Sequence, residues 1–492
     1  MLNRRFPHSD SQEYFVKIRD IMSTLVILMV TAISITIVAA PKEDGELTTD
    51  LINQLRDSYK RDAKDQAIYN ALTANDINVL AVNRDKLIAH NTMFSKELKV
   101  GDIMNQHSTG RCWMFAGLNT LRPTVVNKFS IATFKLSPNY LFFWDKLEKS
   151  NVFLERMIEL AGRDIDDREL VTLIREPCGD GGWWSYVVDL IEKYGVVPEE
   201  IMPETYASAN TGSLNTILYR KLRQDASALR TMFQEGKSAQ QLRVEKERML
   251  AEVYKIVAMN FGEPPQKFTW RYVDKDSIPS PPKEYTPVQF YKDVIGLPLS
   301  DLVCVFNYPG KDYFKLFRIE DSRNLYDKED LTFINLPIDS LKRYTLSTIL
   351  ADEPVWFACD VGKSQYGANG KGIMEEGIYD FNSVYGMNVG LTKEERIKYR
   401  DSSPNHAMVI TGVDTANGKA TKWKVENSWG TARGDSGWWT MYDDWFNEYV
   451  YIVIIDKKYL PKEVLSILDT KPTMLPPWDP MWESTREISE MR

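Results

Sequence analysis

The change of hydrophobic period at Pro354 is what most narrows the folds open to this chain. Downstream the sequence runs VWFACDV, HAMVITGV, KWKVENSW, GWWTMY and EYVYIVIID. These β-branched and aromatic stretches, separated by Gly, Asn and Asp turns, read as strands. Upstream, residues 112 to 195 carry helical periodicity, broken by a glycine turn at CGDGGWW, residues 178 to 184. Two amphipathic segments follow. Leu214, Leu218, Leu222, Leu229 and Phe233 recur near helical spacing, and then Leu242, Met249, Val253 and Ile256 do the same. A proline cluster (Pro279, Pro281, Pro282, Pro287) marks a loop. A helix-rich half followed by a strand-rich half is the α+β class. The 492 residues suffice for roughly three ordinary domains or one enlarged one. With 43% apolar and 26% charged residues, a disordered or collagen-like chain is excluded.

Ahead of this lies Ile21 to Ala40, 20 residues without a charge. As a helix they reach about 30 Å, the thickness of a bilayer core. Lys17 and Arg19 precede the run, and Lys42, Glu43, Asp44 and Glu46 follow it. The positive-inside rule then puts the N-terminus in the cytosol and the bulk outside. The segment reads as an uncleaved single-pass membrane anchor. A cleaved signal peptide, with Val38 and Ala40 before the cut, is the rival, as is a core helix or an extension in front of a soluble protein.

The net charge of −8 argues against a nucleic-acid binder, which needs a basic surface. Four cysteines (Cys112, Cys178, Cys304, Cys359) and four histidines (His8, His90, His107, His406) are present, none at C-x-x-C or His i, i+4 spacing. Zinc and dithiol chemistry lack their ligand sets, and no cofactor is expected. Histidine chemistry near neutral pH must use one of four residues.

Cys112 lies in NQHSTGRCWMFAGLN, where a polar loop runs into a helical segment. A cysteine at a helix start meets the positive end of the macrodipole, and Arg111 adds charge beside it, both favouring thiolate. Taken alone it also fits a small buried hydrophobe, since Trp113, Met114 and Phe115 look like core. His406 opens a strand after a polar loop that ends in Pro404 and Asn405, and Asn427 follows in VENSWGT, with a turn between them at Asn417 and Gly418. A strand start and a strand end can thus face each other, although each residue separately also fits a structural histidine and a turn residue. Together the three share a logic: a thiolate needs a proton-shuttling base, and the imidazole needs a partner on its other nitrogen. Asn427 can accept the imidazole N–H without adding a carboxylate that would further raise the histidine pKa. Trp429 can cover that contact. Gln106, six residues before Cys112, can aim an amide N–H at an oxyanion beside the Cys112 backbone N–H, a contact worth about 3 to 4 kcal/mol. The reaction class is acyl transfer.

Q-x-x-x-x-x-C-W, a distant H-A and N-S-W-G together resemble the papain superfamily of cysteine peptidases. GRCWMFAGLN, SPNYLFFWDKLEK, GDGGWWSYVVDLIEKYGVVP, PVWFACDVGK, KWKVENSWG and LPPWDPM, in that order, narrow the resemblance to the bleomycin hydrolase and aminopeptidase C family, from about residue 80 to 481. The resemblance implies a papain-like fold and a nucleophile, base, orienter and oxyanion donor in Cys112, His406, Asn427 and Gln106. It makes Gly181 and Gly182 the pair that lets substrate backbone approach, with Trp429 also at the substrate site. It further implies a homohexamer, a cytoplasmic location as the alternative to the anchor, and a C-terminal arm that restricts cleavage to one residue at a time from a free amino end. Cys178, Cys304 and Cys359 then read as structural thiols.

Cys112 and His406 stand roughly 290 residues apart, against about 130 to 150 in papain-like enzymes. A large helical insertion is therefore expected around 205–260. The expected organisation is an N-terminal segment 1–40, a helical leader 41–90, a peptidase body 91–470 carrying the insertion, and a C-terminal arm 471–492. The arm departs from the family, because WESTREISEMR runs on past WDPM. Glu483, Glu487 or the terminal carboxylate can still meet a substrate ammonium. An endopeptidase and a catalytically dead papain-fold binding protein are the alternatives to the aminopeptidase.

Overall fold

The structure is a computed structural model that describes residues 45–482. Residues 45–75 form two helices, Thr49–Ser58, capped by Thr48, and Ala63–Leu72, capped by the reciprocal Asp62 and Asp65 pair. No residue of either helix is buried.

Residues 76–482 are built on a twelve-stranded sheet. In chain order the strands are β1 (Lys96–Glu97), the separate hairpin β2 (Phe268–Trp270) and β3 (Lys283–Tyr285), β4 (Leu302–Phe306), β5 (Lys315–Ile319), β6 (Thr332–Asn335) and β7 (Val355–Cys359). Then come β8 (Gln365–Tyr366), β9 (Ile373–Met374), β10 (His406–Ala416), β11 (Lys419–Glu426), β12 (Trp438–Tyr442), β13 (Val450–Asp456) and β14 (Thr473–Leu475). The spatial order is β14-β5-β6-β4-β13-β7-β10-β11-β12-β9-β8, with β1 on β10.

Both faces of the central strands are covered, which is why they read as near-continuous apolar runs. Along β7, Trp356 and Ala358 enter one core while Val355, Phe357 and Cys359 enter the other. The first core is shared with helices α1 (Cys112–Phe129), α2 (Pro138–Glu159) and α3 (Trp184–Tyr194). The two amphipathic segments form α4 (Gly212–Gln234) and α5 (Ala239–Phe261), which pack on each other and on α2. Their stripes are buried at Leu214, Leu218, Leu222, Leu229, Leu242, Met249 and Val253. A further helix, α6 (Ile338–Leu350), closes the second core with Leu341, Tyr344 and Ile349.

One hairpin positions the site. β10 and β11 join through Asn417 and Gly418, both at positive φ (53° and 74°), the two-residue turn that matches strand twist. Pairing of Val409 with Glu426 then brings the start of β10 beside the end of β11.

Two expectations are corrected. Strands do not begin at Pro354: β4, β5 and β6 precede it. They are four or five residues long, and a short apolar run has no period that separates strand from helix; β4 becomes a strand because distant β13 pairs with it. The expectation of a transmembrane helix is overturned as well. Among the described residues no helix is long and apolar enough to cross a membrane. The longest helices carry charges along their length, as α2 does with Asp145, Lys146, Glu148 and Lys149. Ile21 to Ala40, on which that expectation rested, lies outside the described residues.

Candidate active site

Cys112 is the first residue of α1, and of the four cysteines it alone is not buried. Burial pushes the Cys304 thiol up to about 12 and raises those of Cys178 and Cys359, so these three are poor thiolates. Arg111 does not lend Cys112 its charge in the way the sequence suggests. It is fully buried, both terminal guanidinium nitrogens donate to Glu204 at 2.9 Å, and the group lies against the rings of Phe115 and Phe142. A carboxylate answers its charge, whereas the helix N-terminus at Cys112 remains a positive influence.

His406, the first residue of β10, is buried with a ring nitrogen, Nε2, 2.8 Å from Asn427 Oδ1. The Ser428 backbone N–H donates to that same oxygen at 2.7 Å. Only an amide oxygen can accept there, so the Asn427 side chain has one orientation, and His406 must carry its proton on Nε2. Nδ1 is then the nitrogen that can exchange a proton. Trp429 lies over the imidazole, ring centroids 4.8 Å apart, and is braced edge-on by Trp439 at 5.9 Å. Trp429 thus sits on His406 rather than among the residues lining the cleft.

Gln106 is held at three points. Its backbone N–H donates to Ser428 O at 2.8 Å, its Nε2 donates to Thr109 O at 2.6 Å, and its Oε1 accepts from Ser428 Oγ at 2.6 Å. One of the two Nε2 hydrogens is thereby engaged, and the other remains for an incoming oxygen. Ser428, which a sequence reading passes over, ties Gln106 to Asn427. Its only signal is its place between Asn427 and Trp429.

Gly181 and Gly182 come from the turn before α3. A Cβ on Gly182 would lie 2.6 Å from the Trp113 ring, so the side chain following the candidate nucleophile requires glycine here. Trp113 in turn donates from Nε1 to Asp180 O at 2.8 Å. Gln106, Cys112, His406, Gly181 and Gly182 line one cleft, with Asn427 directly behind His406. His107 has a left-handed backbone (φ 55°) and an exposed side chain in the loop before Cys112, while the His90 ring meets the Tyr442 hydroxyl.

The glycine turn is fastened by a charged cluster that sequence reasoning misses. Lys146 Nζ donates to Asp180 Oδ1 (2.7 Å), Cys178 O (2.6 Å) and Asn215 Oδ1 (2.9 Å). Lys149 Nζ donates to Gly179 O (2.9 Å) and Gly181 O (2.6 Å) and pairs with Asp145 at 2.7 Å. Asp180 also accepts from Thr211, Asn215 and the Gly110 backbone N–H, two residues before Cys112. Burial alone would raise the Asp180 carboxyl, but the Lys146 charge and these hydrogen bonds outweigh it and hold it well below the usual carboxylate range. The available signal is two lysines three residues apart inside the apolar run LFFWDKLEKSNVFLE. Among the described residues no cluster of three or more His, Cys, Asp or Glu could hold a metal ion.

The sequence model of the Peptidase C1-like family matches residues 46–482. The chain is 40% identical over 438 residues to an aminopeptidase C of Streptococcus thermophilus, covering 88% of this chain and 98% of that one. It is 39% identical over 390 residues to the bleomycin hydrolase of Rattus norvegicus, covering 77% and 85%. The crystal structure of PepW from Lactobacillus rhamnosis HN001 superposes with a TM-score of 0.86 at 41% identity, covering 89% of this chain and 99% of that one.

Proposed function

The chain belongs to the Peptidase C1-like family, and on that premise we propose that it is a cysteine aminopeptidase acting on peptides with a free amino terminus. The observation that carries the proposal is the His406–Asn427 contact at 2.8 Å, with its tautomer fixed by Ser428, beside the one cysteine of four that is not buried.

The steps follow from the residues. His406 Nδ1 takes the proton of the Cys112 thiol, and the sulfur attacks the carbonyl carbon of the first peptide bond. The resulting oxyanion is met by the Cys112 backbone N–H at the helix start and by the second Nε2 hydrogen of Gln106. His406, now an imidazolium steadied by Asn427, gives its proton to the departing amine, and the thioester forms as the C–N bond breaks. Water then loses a proton to His406 and attacks the thioester. The C–S bond breaks, the amino acid leaves, and Cys112 regains its proton. Gly181 and Gly182 offer backbone without side chains along which the acyl residue can lie. Trp429 keeps water from the His406–Asn427 contact.

The aminopeptidase is favoured over the endopeptidase by the C-terminal arm. Trp482, the last described residue, is buried and stacks on Trp183 at 5.3 Å, beside the cleft. Glu483 and Glu487 lie outside the described residues. The proposal includes the peptidase body 91–470 with α4 and α5 as its insertion, the arm 471–492, and assembly as a homohexamer. These rest on the family resemblance, and the assembly is checked by sedimentation. The activity is tested with matched peptides bearing free and acetylated amino ends. Loss of cleavage on acetylation is expected, and equal cleavage of both would make this an endopeptidase.

A further inference from the structure

Two glycines in succession are the stretch of backbone least able to hold its own conformation, because each moves freely in φ and ψ. The plane of the peptide between Gly181 and Gly182 is therefore set by what that peptide bonds to. Its carbonyl, Gly181 O, accepts from Lys149 Nζ at 2.6 Å, and the same nitrogen donates to Gly179 O at 2.9 Å. We propose that Lys149 is a positioning residue for the peptidase reaction, fixing the Gly181–Gly182 peptide in the orientation against which the acyl residue lies. The inference rests on the aminopeptidase reading and deepens it by naming the group that holds this wall of the cleft in place.

Three observations carry it. The first is place. Gly181 and Gly182 line both the cleft and an adjoining cavity, whereas Lys149 lines the cavity and not the cleft. A trans peptide carries its C=O and N–H on opposite edges, so drawing Gly181 O to Lys149 turns the Gly182 N–H away from it. Lys149 thus acts through the peptide rather than by touching substrate. The second is that Lys149 is itself fixed. Its ammonium pairs with the buried Asp145 carboxylate at 2.7 Å, and Asp145 accepts from Asn324 Nδ2 at 3.1 Å. The rings of Trp113 and Tyr186 flank the ammonium at 5.3 and 5.5 Å. The third is the division of labour along the turn. Four successive carbonyls are held, Cys178 O by Lys146, Asp180 O by Trp113, and Gly179 O and Gly181 O by Lys149, so the carbonyl inside the glycine pair falls to Lys149. A buried ion pair adds little stability over well-packed apolar groups, which leaves direction as what Lys149 supplies here.

Lys149→Met alone strands the buried Asp145 carboxylate, so the test pairs it with Asp145→Asn and adds Lys149→Arg, which keeps a cationic donor. Each protein is assayed on alanyl and Nα-acetyl-alanyl fluorogenic amides, for the rate of Cys112 alkylation by iodoacetamide, and for its unfolding midpoint. Iodoacetamide is small and reaches the thiolate without lying along the glycines. In the double variant kcat/KM on the alanyl amide is expected to fall about 10- to 100-fold, mainly through KM, with the alkylation rate and the midpoint staying near those of the parent. Lys149→Arg is expected to recover part of the loss. A double variant that hydrolyses as well as the parent overturns the assignment and leaves the aminopeptidase standing. So does one in which hydrolysis and alkylation fall together with the midpoint, because Lys149 is then structural. A parent that cleaves both amides equally overturns the aminopeptidase reading, and the double variant still decides the role of Lys149 on the same substrates. A parent that cleaves neither overturns both.

Discussion

Cys112→Ala is expected to abolish peptide hydrolysis, by about 10⁴-fold or more, because no other group in the cleft can form the thioester. The same substitution should leave the midpoint of denaturant unfolding nearly unchanged. Cys112 is partly exposed at the first turn of α1, so losing its sulfur creates no closed cavity. Steady-state kinetics and an unfolding curve on the same preparation check both halves. Retained hydrolysis would remove Cys112 from the chemistry, and lost folding would make it structural.

Lys146→Met is expected to cost about 3 to 5 kcal/mol in stability, the largest stability loss predicted here. It strands the buried Asp180 carboxylate without its cation and releases the Cys178 carbonyl. Pairing it with Asp180→Asn should recover part of the loss, since no buried charge is then left alone. The pair also gives stability a pH dependence with a definite sign. The Asp180 carboxyl is depressed in the folded protein, so its contribution is fully present above the unfolded value of about 3.9. That contribution is lost as pH falls from there towards the folded value. Unfolding midpoints measured at neutral pH and near pH 3 should therefore converge between the parent and Asp180→Asn. A gap that stays constant across that range would show that Asp180 is not held ionised. The substitution reaches function too, because the Asp180 side chain accepts from the Gly110 N–H, two residues before Cys112.

The parts of this molecule that are legible in its sequence are those whose physical signal is local. The two-residue turn at Asn417 and Gly418 announces the hairpin, and with it the meeting of His406 and Asn427. The leucine stripes of α4 and α5 announce their buried faces. The candidate site is legible because its chemistry requires particular residue types in a particular order, and because so few cysteines and histidines compete for the roles.

What is not legible depends on distant partners. Ser428 holds both Gln106 and Asn427, a contact that spans the chain from residue 106 to residue 428. Arg111 looks like a charge for Cys112 until Glu204, far along the sequence, is seen to take it. Lys146 and Lys149 look like ordinary helix charges until the glycine turn folds over them. Strands β4 to β6 escape because they are too short to show a period, and because β4 and β5 are fixed by pairing with the distant strands β13 and β14.

The central claim, that one cysteine does the chemistry, is met most directly by labelling. The protein is treated with an epoxysuccinyl electrophile, residual hydrolysis is followed, and the modified residue is located by mass spectrometry. A single adduct on Cys112, with none on Cys178, Cys304 or Cys359 and with hydrolysis falling in step with its formation, is the result expected. Full modification of Cys112 with hydrolysis undiminished would contradict it.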